Sequence, residues 1–128
     1  MSFALPRVAL VALGGLAGCV ARYWLAGAVQ NLTDHGFPSG TLVVNILGSF
    51  LIGLVMTLSL ERGLVDDDLR ILLTTGFCGG FTTMSTFSYE TLALLREGEQ
   101  LLALGNVSAT FAACVGAVWL GSIGARLL

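Results

Sequence analysis

Lysine is missing from this chain and histidine occurs once. Six arginines carry all the positive charge against eight acidic residues, for a net charge of −2. That balance offers no basic surface for nucleic acid, whose binding depends on neutralising phosphates, so no nucleic-acid partner is expected. Cysteine is scarce as well. Cys19, Cys78 and Cys114 stand apart in apolar surroundings, odd in number, with neither metal-ligand spacing nor a disulfide framework, and read as small buried hydrophobes. No Cys/His, Ser/His or ligand array arises within the apolar segments, so an enzyme is not expected. His35, the lone histidine, reads as a solvated loop residue. Charge in general is thin, at 11% of the 128 residues, where soluble domains carry about 25%.

What fills the chain instead is apolar. Hydrophobic residues make up 55% of it and the mean hydropathy is +0.89. Stretches of about 20 apolar residues can cross a bilayer as helices. Four such stretches are expected, at about 5–29, 41–60, 69–95 and 101–128, forming one all-α membrane domain over 1–128. The first resembles a signal peptide in having Arg7 ahead of an apolar run. The run is too long for that, and it lacks a convincing small-residue cleavage site near Arg22. It reads as a retained span.

Polar and small residues within these spans follow patterns. Gly14 and Gly18 form a G-x-x-x-G pair in span one, suited either to close packing on a neighbouring helix of the same chain or to a dimer contact. Arg22, beside Tyr23 and Trp24, suits an interfacial anchor or a source of positive charge for an anion-accepting vestibule. In span two, Thr41, Asn45, Ser49, Gly53 and Thr57 recur every four residues and form one stripe on a helix. An amide in hydrocarbon must find partners, so Asn45 serves either as interhelical glue or as a pore-lining donor. Asp66 to Asp68 suit the start of the next helix, where negative charge meets the positive end of the dipole.

Span three is the unusual one. Gly76-Phe77-Cys78-Gly79-Gly80-Phe81-Thr82-Thr83-Met84-Ser85-Thr86-Phe87-Ser88 crowds glycines and hydroxyls into the middle of an apolar segment. Irregular backbone at membrane depth is tolerated only where it is buried in protein or lines a polar cavity. Thr82, Thr86 and Glu90 share a helical face, and an acid inside a span is a functional candidate. In span four, Asn106 and Thr110 are four apart and extend a polar track. These groups are mostly hydroxyls and amides with a single acid, whereas cation pathways usually present acidic rings. Donors of this kind, the N-terminus of a half-helix and the electropositive ring edges of Phe77, Phe81 and Phe87 favour a small anion.

The motifs are recognisable at this point. Gly14-Gly15-x-x-Gly18 leading to Arg22-Tyr23, then Gly40-Thr41-Leu42-x-x-Asn45-x-x-Gly48-Ser49-Phe50, then Gly76 to Ser88 followed by Glu90, resemble the CrcB/Fluc family of fluoride channels over essentially the whole chain. That resemblance implies four membrane helices with the third broken mid-membrane. It also implies an antiparallel, dual-topology homodimer in the cell (inner) membrane, with passive fluoride export. The arginine bias is compatible with insertion both ways round: Arg7, Arg62, Arg70 and Arg126 lie on the side of the termini, and Arg22 and Arg96 on the other. The resemblance further implies a structural sodium ion held by the backbone carbonyls of Gly79 and Thr82. It implies a fluoride pathway through Asn45, Thr41, Ser85, Thr86 and Phe87, with Glu90 after the motif. Two positions depart from the family pattern. Met84 stands where the family has the first of two phenylalanines, and Asn106 where many relatives have tyrosine.

The leading expectation is therefore a passive fluoride channel. The alternatives are a small proton- or sodium-coupled transporter using Glu90, and a non-transporting membrane protein that stabilises a larger complex through its glycine faces.

Overall fold

The computed structural model describes residues 5–33 and 36–128. Asp34 and His35 lie outside the described residues, and with them the reading of His35 as a solvated loop residue. The described chain is all helical: α1 (Leu5–Thr33), α2 (Ser39–Leu60), α3 (Asp67–Ile71), a π-helical stretch (Leu72–Cys78), α4 (Gly79–Phe81), α5 (Met84–Arg96) and α6 (Gln100–Arg126). Three of these, α1, α2 and α6, are long and apolar enough to cross a membrane. The region from Asp67 to Arg96 is a helix interrupted twice, by the π-helical stretch and by extended backbone at Thr82 and Thr83. The expected break spans Gly79 to Thr82; Gly79–Phe81 is a helical turn, and the backbone opens at the end of that range, at Thr82, and continues through Thr83.

Glycine decides how closely these helices approach. A Cβ on Gly14 would lie 2.4 Å from the Leu72 carbonyl oxygen, and one on Gly18 would lie 2.1 Å from that of Phe77. The G-x-x-x-G pair of α1 thus packs backbone to backbone on the π-helical stretch of its own chain. The same device works at the crossing of α2 and α6. There a Cβ on Gly53 would meet the Val118 carbonyl oxygen at 2.1 Å, and one on Gly121 would meet that of Phe50 at 2.2 Å. Close approach of this kind supplies the dispersion contacts that hold helices together where lipid gives no hydrophobic drive.

The helix ends are fixed by polar groups. Asp66 caps α3 by accepting from Leu69 N–H at 2.8 Å, with Asp67 and Asp68 in the first turn. At the end of the molecule that holds the C-terminus and the α2–α3 loop, three ion pairs join neighbours: Arg7 to Asp68 at 3.1 Å, Arg70 to Asp67 at 3.0 Å and Arg126 to Glu61 at 2.9 Å. At the opposite end, Gln30 ties the start of α2 to α1. Its Nε2 donates to the Phe37 carbonyl at 3.0 Å, and its Oε1 accepts from Gly40 N–H at 3.2 Å. Much apolar surface faces outward, including Leu13, Leu16, Val20 and Trp24 of α1 and Phe111, Val115 and Trp119 of α6. A water-soluble fold would bury such a surface; a bilayer or another apolar partner suits it.

Candidate functional site

A broken helix frees backbone groups, and the fate of each one defines the site. In a continuous helix Thr83 N–H would donate to the Gly79 carbonyl. Here it donates to Asn45 Oδ1 at 2.8 Å, while Asn45 Nδ2 donates to the Thr83 carbonyl at 3.2 Å. The buried Asn45 amide thus pairs with both sides of Thr83 as another strand of backbone would. An amide nitrogen carries two N–H groups. The second is left over on a residue that also lines a cavity. The two readings of Asn45, glue and donor, are therefore compatible in one side chain.

Arg22 makes a bond the sequence did not suggest. Its Nε donates to the Gly80 carbonyl at 2.9 Å, in place of the N–H that Met84 would have offered in a continuous helix. Its neighbours Tyr23 and Trp24 are well exposed, as interfacial aromatics are. A third substitution starts α5: Thr83 Oγ1 accepts from Thr86 N–H at 3.2 Å, so that N–H no longer serves the Thr82 carbonyl. The carbonyls of Gly79 and Thr82 thereby lose their regular helical donors, while that of Gly80 is covered. Hydroxyls cluster around the same cap: Thr83 Oγ1 donates to Thr86 Oγ1 at 3.0 Å and meets Ser85 Oγ at 3.2 Å.

Two cavities flank this cap. One, of about 370 Å³, is lined by Asn45, Thr82, Thr83, Met84, Phe87 and Thr110 among others. The other, of about 290 Å³, holds Arg22, Thr41, Thr83, Thr86 and Glu90. Thr83 lines both. In the second cavity Thr41 Oγ1 donates to Glu90 Oε1 at 2.8 Å. Glu90 Oε2 is buried and has no hydrogen-bond partner among the described residues. The chemistry on offer is a run of hydroxyl, amide and guanidinium donors with one carboxylate, suited to an anion that sheds its water in steps.

Not every expected residue lies on these walls. Ser85 is exposed beside the cap rather than lining either cavity, and Gly79 is exposed on the chain's surface. Asn106 is only 1% exposed and lines neither cavity. Phe77 and Phe81 stack on each other, with ring centroids 5.3 Å apart, and Phe81 is buried. Of the three phenylalanines that could offer ring edges, Phe87 is the one on a cavity wall.

Residues 9–122 match the family described as CrcB-like protein, Camphor Resistance (CrcB). The chain belongs to the CrcB family. It is 52% identical over 121 residues to the "Fluoride-specific ion channel FluC" of Geobacter metallireducens, covering 94% of this chain and 98% of that protein. It is 51% identical over 124 residues to the protein of the same description from Geobacter sulfurreducens, covering 97% and 100%. The Geotalea uraniireducens protein so described is 50% identical over 124 residues. The residues matched to the CrcB family include the break and the linings of both cavities.

Sequence reasoning missed two features of this CrcB-family site. Thr83 was read as one hydroxyl among several, yet its peptide is the hub of the break. Thr91 was not singled out at all, though it accepts from Asn106. A threonine inside a helix carries no signal of a partner on another helix, and that pairing emerges only when the helices dock.

Proposed function

We propose that this chain is a passive, fluoride-selective channel. On this reading it works as an antiparallel, dual-topology homodimer in the cell (inner) membrane and lets fluoride leave the cytoplasm. The observation that carries the reading is Thr83, which joins a donor-rich vestibule holding Arg22, Thr41, Thr86 and Glu90 to a cavity lined by Asn45, Met84, Phe87 and Thr110. Relatives at about half identity over nearly the full chain are described as fluoride-specific ion channels. Fluoride would approach past the hydroxyls, meet the spare Asn45 N–H, and pass the edge of Phe87. Weak, closely spaced donors let an ion enter and also leave.

In this proposal the second copy covers the open side of the larger cavity, where Met84 is 71% and Phe111 75% exposed. The four helical regions each cross the membrane, the broken one in two halves. A structural sodium ion would take the Gly79 and Thr82 carbonyls. Those two groups have lost their helical donors, and oxygen ligands suit a hard cation. Among the described residues no cluster of acidic, histidine or cysteine ligands competes for it. Two carbonyls alone are too few for such an ion, and a second copy would double them.

The test is efflux from liposomes holding the purified chain. Fluoride should leave down its gradient without a coupled ion, and chloride should stay. Absence of fluoride flux from folded protein would overturn the reading. Relatives described as ion channels do not favour the coupled transporter that would use Glu90 as its exchanged acid.

A further inference from the structure

The short helix α5 carries Phe87, yet little holds it. It has 13 residues, and Leu94 is its one buried residue. Among the described residues, two side-chain hydrogen bonds fasten α5 to other helices. One is Thr41 to Glu90. The other is Asn106 Nδ2 to Thr91 Oγ1, at 3.0 Å.

The second bond belongs to a chain that ends on Phe87 itself. Thr110 Oγ1 donates to Asn106 Oδ1 at 3.4 Å, Asn106 Nδ2 donates to Thr91 Oγ1, and Thr91 Oγ1 donates to the Phe87 carbonyl at 2.8 Å. Asn106 is fully enclosed, and its oxygen and nitrogen are both engaged. Thr110 and Phe87 line the larger cavity and Asn106 does not. A threonine hydroxyl bonded to the carbonyl four residues earlier bends its helix slightly, and the Asn106 amide fixes the direction in which that hydroxyl points.

We infer that Asn106 and Thr91 are positioning residues: they set where α5 holds Phe87 against the pathway, and Asn106 does not touch the ion. This rests on the channel reading above and sets Asn106 behind the fluoride track rather than on it.

The experiment is a double-mutant cycle in liposomes with Thr91→Val and Asn106→Leu, each matching the native residue in heavy-atom count and branching, plus Thr91→Ser to restore the hydroxyl. Fluoride and chloride efflux are both measured, on protein that elutes as a single species. Each single variant should lower fluoride flux by about fivefold or more and lower the fluoride-to-chloride ratio with it. The double variant should be no worse than the poorer single one, since both break the same link. Thr91→Ser should recover the ratio. A loss of packing alone would reduce the amount of folded protein and leave the ratio unchanged. If Asn106→Leu impairs fluoride flux while Thr91→Val does not, Asn106 acts on the ion directly and the inference fails. If neither changes flux in a chain that conducts, it fails while the channel reading stands. A native chain that moves no fluoride overturns both. Should Asn106→Leu not fold, Thr91→Val with Thr91→Ser decides alone: an unchanged ratio in Thr91→Val overturns the inference.

Discussion

Asn45 illustrates how one side chain can complete a broken backbone and still keep a donor free. Its carboxamide closes on both polar groups of the Thr83 peptide, which the helix break would otherwise leave bare. Leaving a buried polar group unpaired costs about 1–3 kcal/mol, so Asn45→Leu should destabilise the fold as well as stop the ion. Asn45→Asp is the more discriminating change. It keeps the acceptor for Thr83 N–H but sets an oxygen against the Thr83 carbonyl and brings negative charge to an anion path. We expect it to cut fluoride efflux by about tenfold or more, equivalent to about 1.4 kcal/mol in barrier, in protein that still purifies folded. Unchanged efflux would remove Asn45 from the pathway. Met84 poses the opposite case. It is largely exposed on a cavity wall, with room for a larger ring, so Met84→Phe should fold and conduct within about threefold of the native rate, well under the tenfold that 1.4 kcal/mol would give. A collapse of flux in that variant would mean that methionine is tuned to this pathway. Arg22 was legible as unusual in the sequence, but its partner was not. A carbonyl exposed by a break has no one-dimensional signature, so the vestibule reading anticipated the cavity that Arg22 lines but not its bond to Gly80.

At the level of elements, contact between α1 and the π-helical stretch depends on glycine at two sites and not at others. Gly18→Ala would set a methyl 2.1 Å from the Phe77 carbonyl oxygen, whereas Gly27→Ala meets nothing within 4 Å. Overpacking typically costs about 1–3 kcal/mol, and rigid backbone on both sides leaves little room to yield. Gly18→Ala should therefore lower the Tm markedly, while Gly27→Ala should hold or slightly raise it; equal Tm values would show that the approach is looser than described. The pair joining the ends of α2 and α6 makes a smaller contribution. The Arg126 guanidinium, hydrogen-bonded to Glu61, holds that carboxyl below its ordinary 4.5. Its stabilisation is thus present above the ordinary carboxylate value and disappears as pH falls through the lowered one. Exposed pairs are screened, so Glu61→Gln should alter the acid limb of a stability profile and little else. The apolar helices and the Asp66 to Asp68 helix start were readable from hydropathy and capping residues. The π-helical stretch was not. An i to i+5 pattern over Leu72–Cys78 lies against Gly14 and Gly18, and periodicity in one segment carries no information about its neighbour's glycines.

The molecule as a whole has a neutralised end and an unfinished side. Among the described residues, Arg7, Arg70 and Arg126 are each paired with an acid at one end, and the larger cavity opens on a flank of exposed apolar side chains. If the flank receives an inverted second copy, a single cysteine added at one terminus of a cysteine-free version should be labelled from both faces of the membrane in one preparation. Labelling from one face only would contradict the inverted pair. If sodium bridges the two breaks, exchanging it for a large organic cation should lower the Tm, and an unchanged Tm would remove the ion from the assembly.

The sharing of Thr83 between both cavities has a kinetic consequence. If fluoride passes between the two cavities, both of which Thr83 borders, a change in its peptide or hydroxyl alters the wells on either hand and the saddle between them. Substitutions at Thr83 should therefore move loading and unloading rates together. Independent tuning of the two directions would have to come from residues that face a single chamber, such as Thr41 or Phe87.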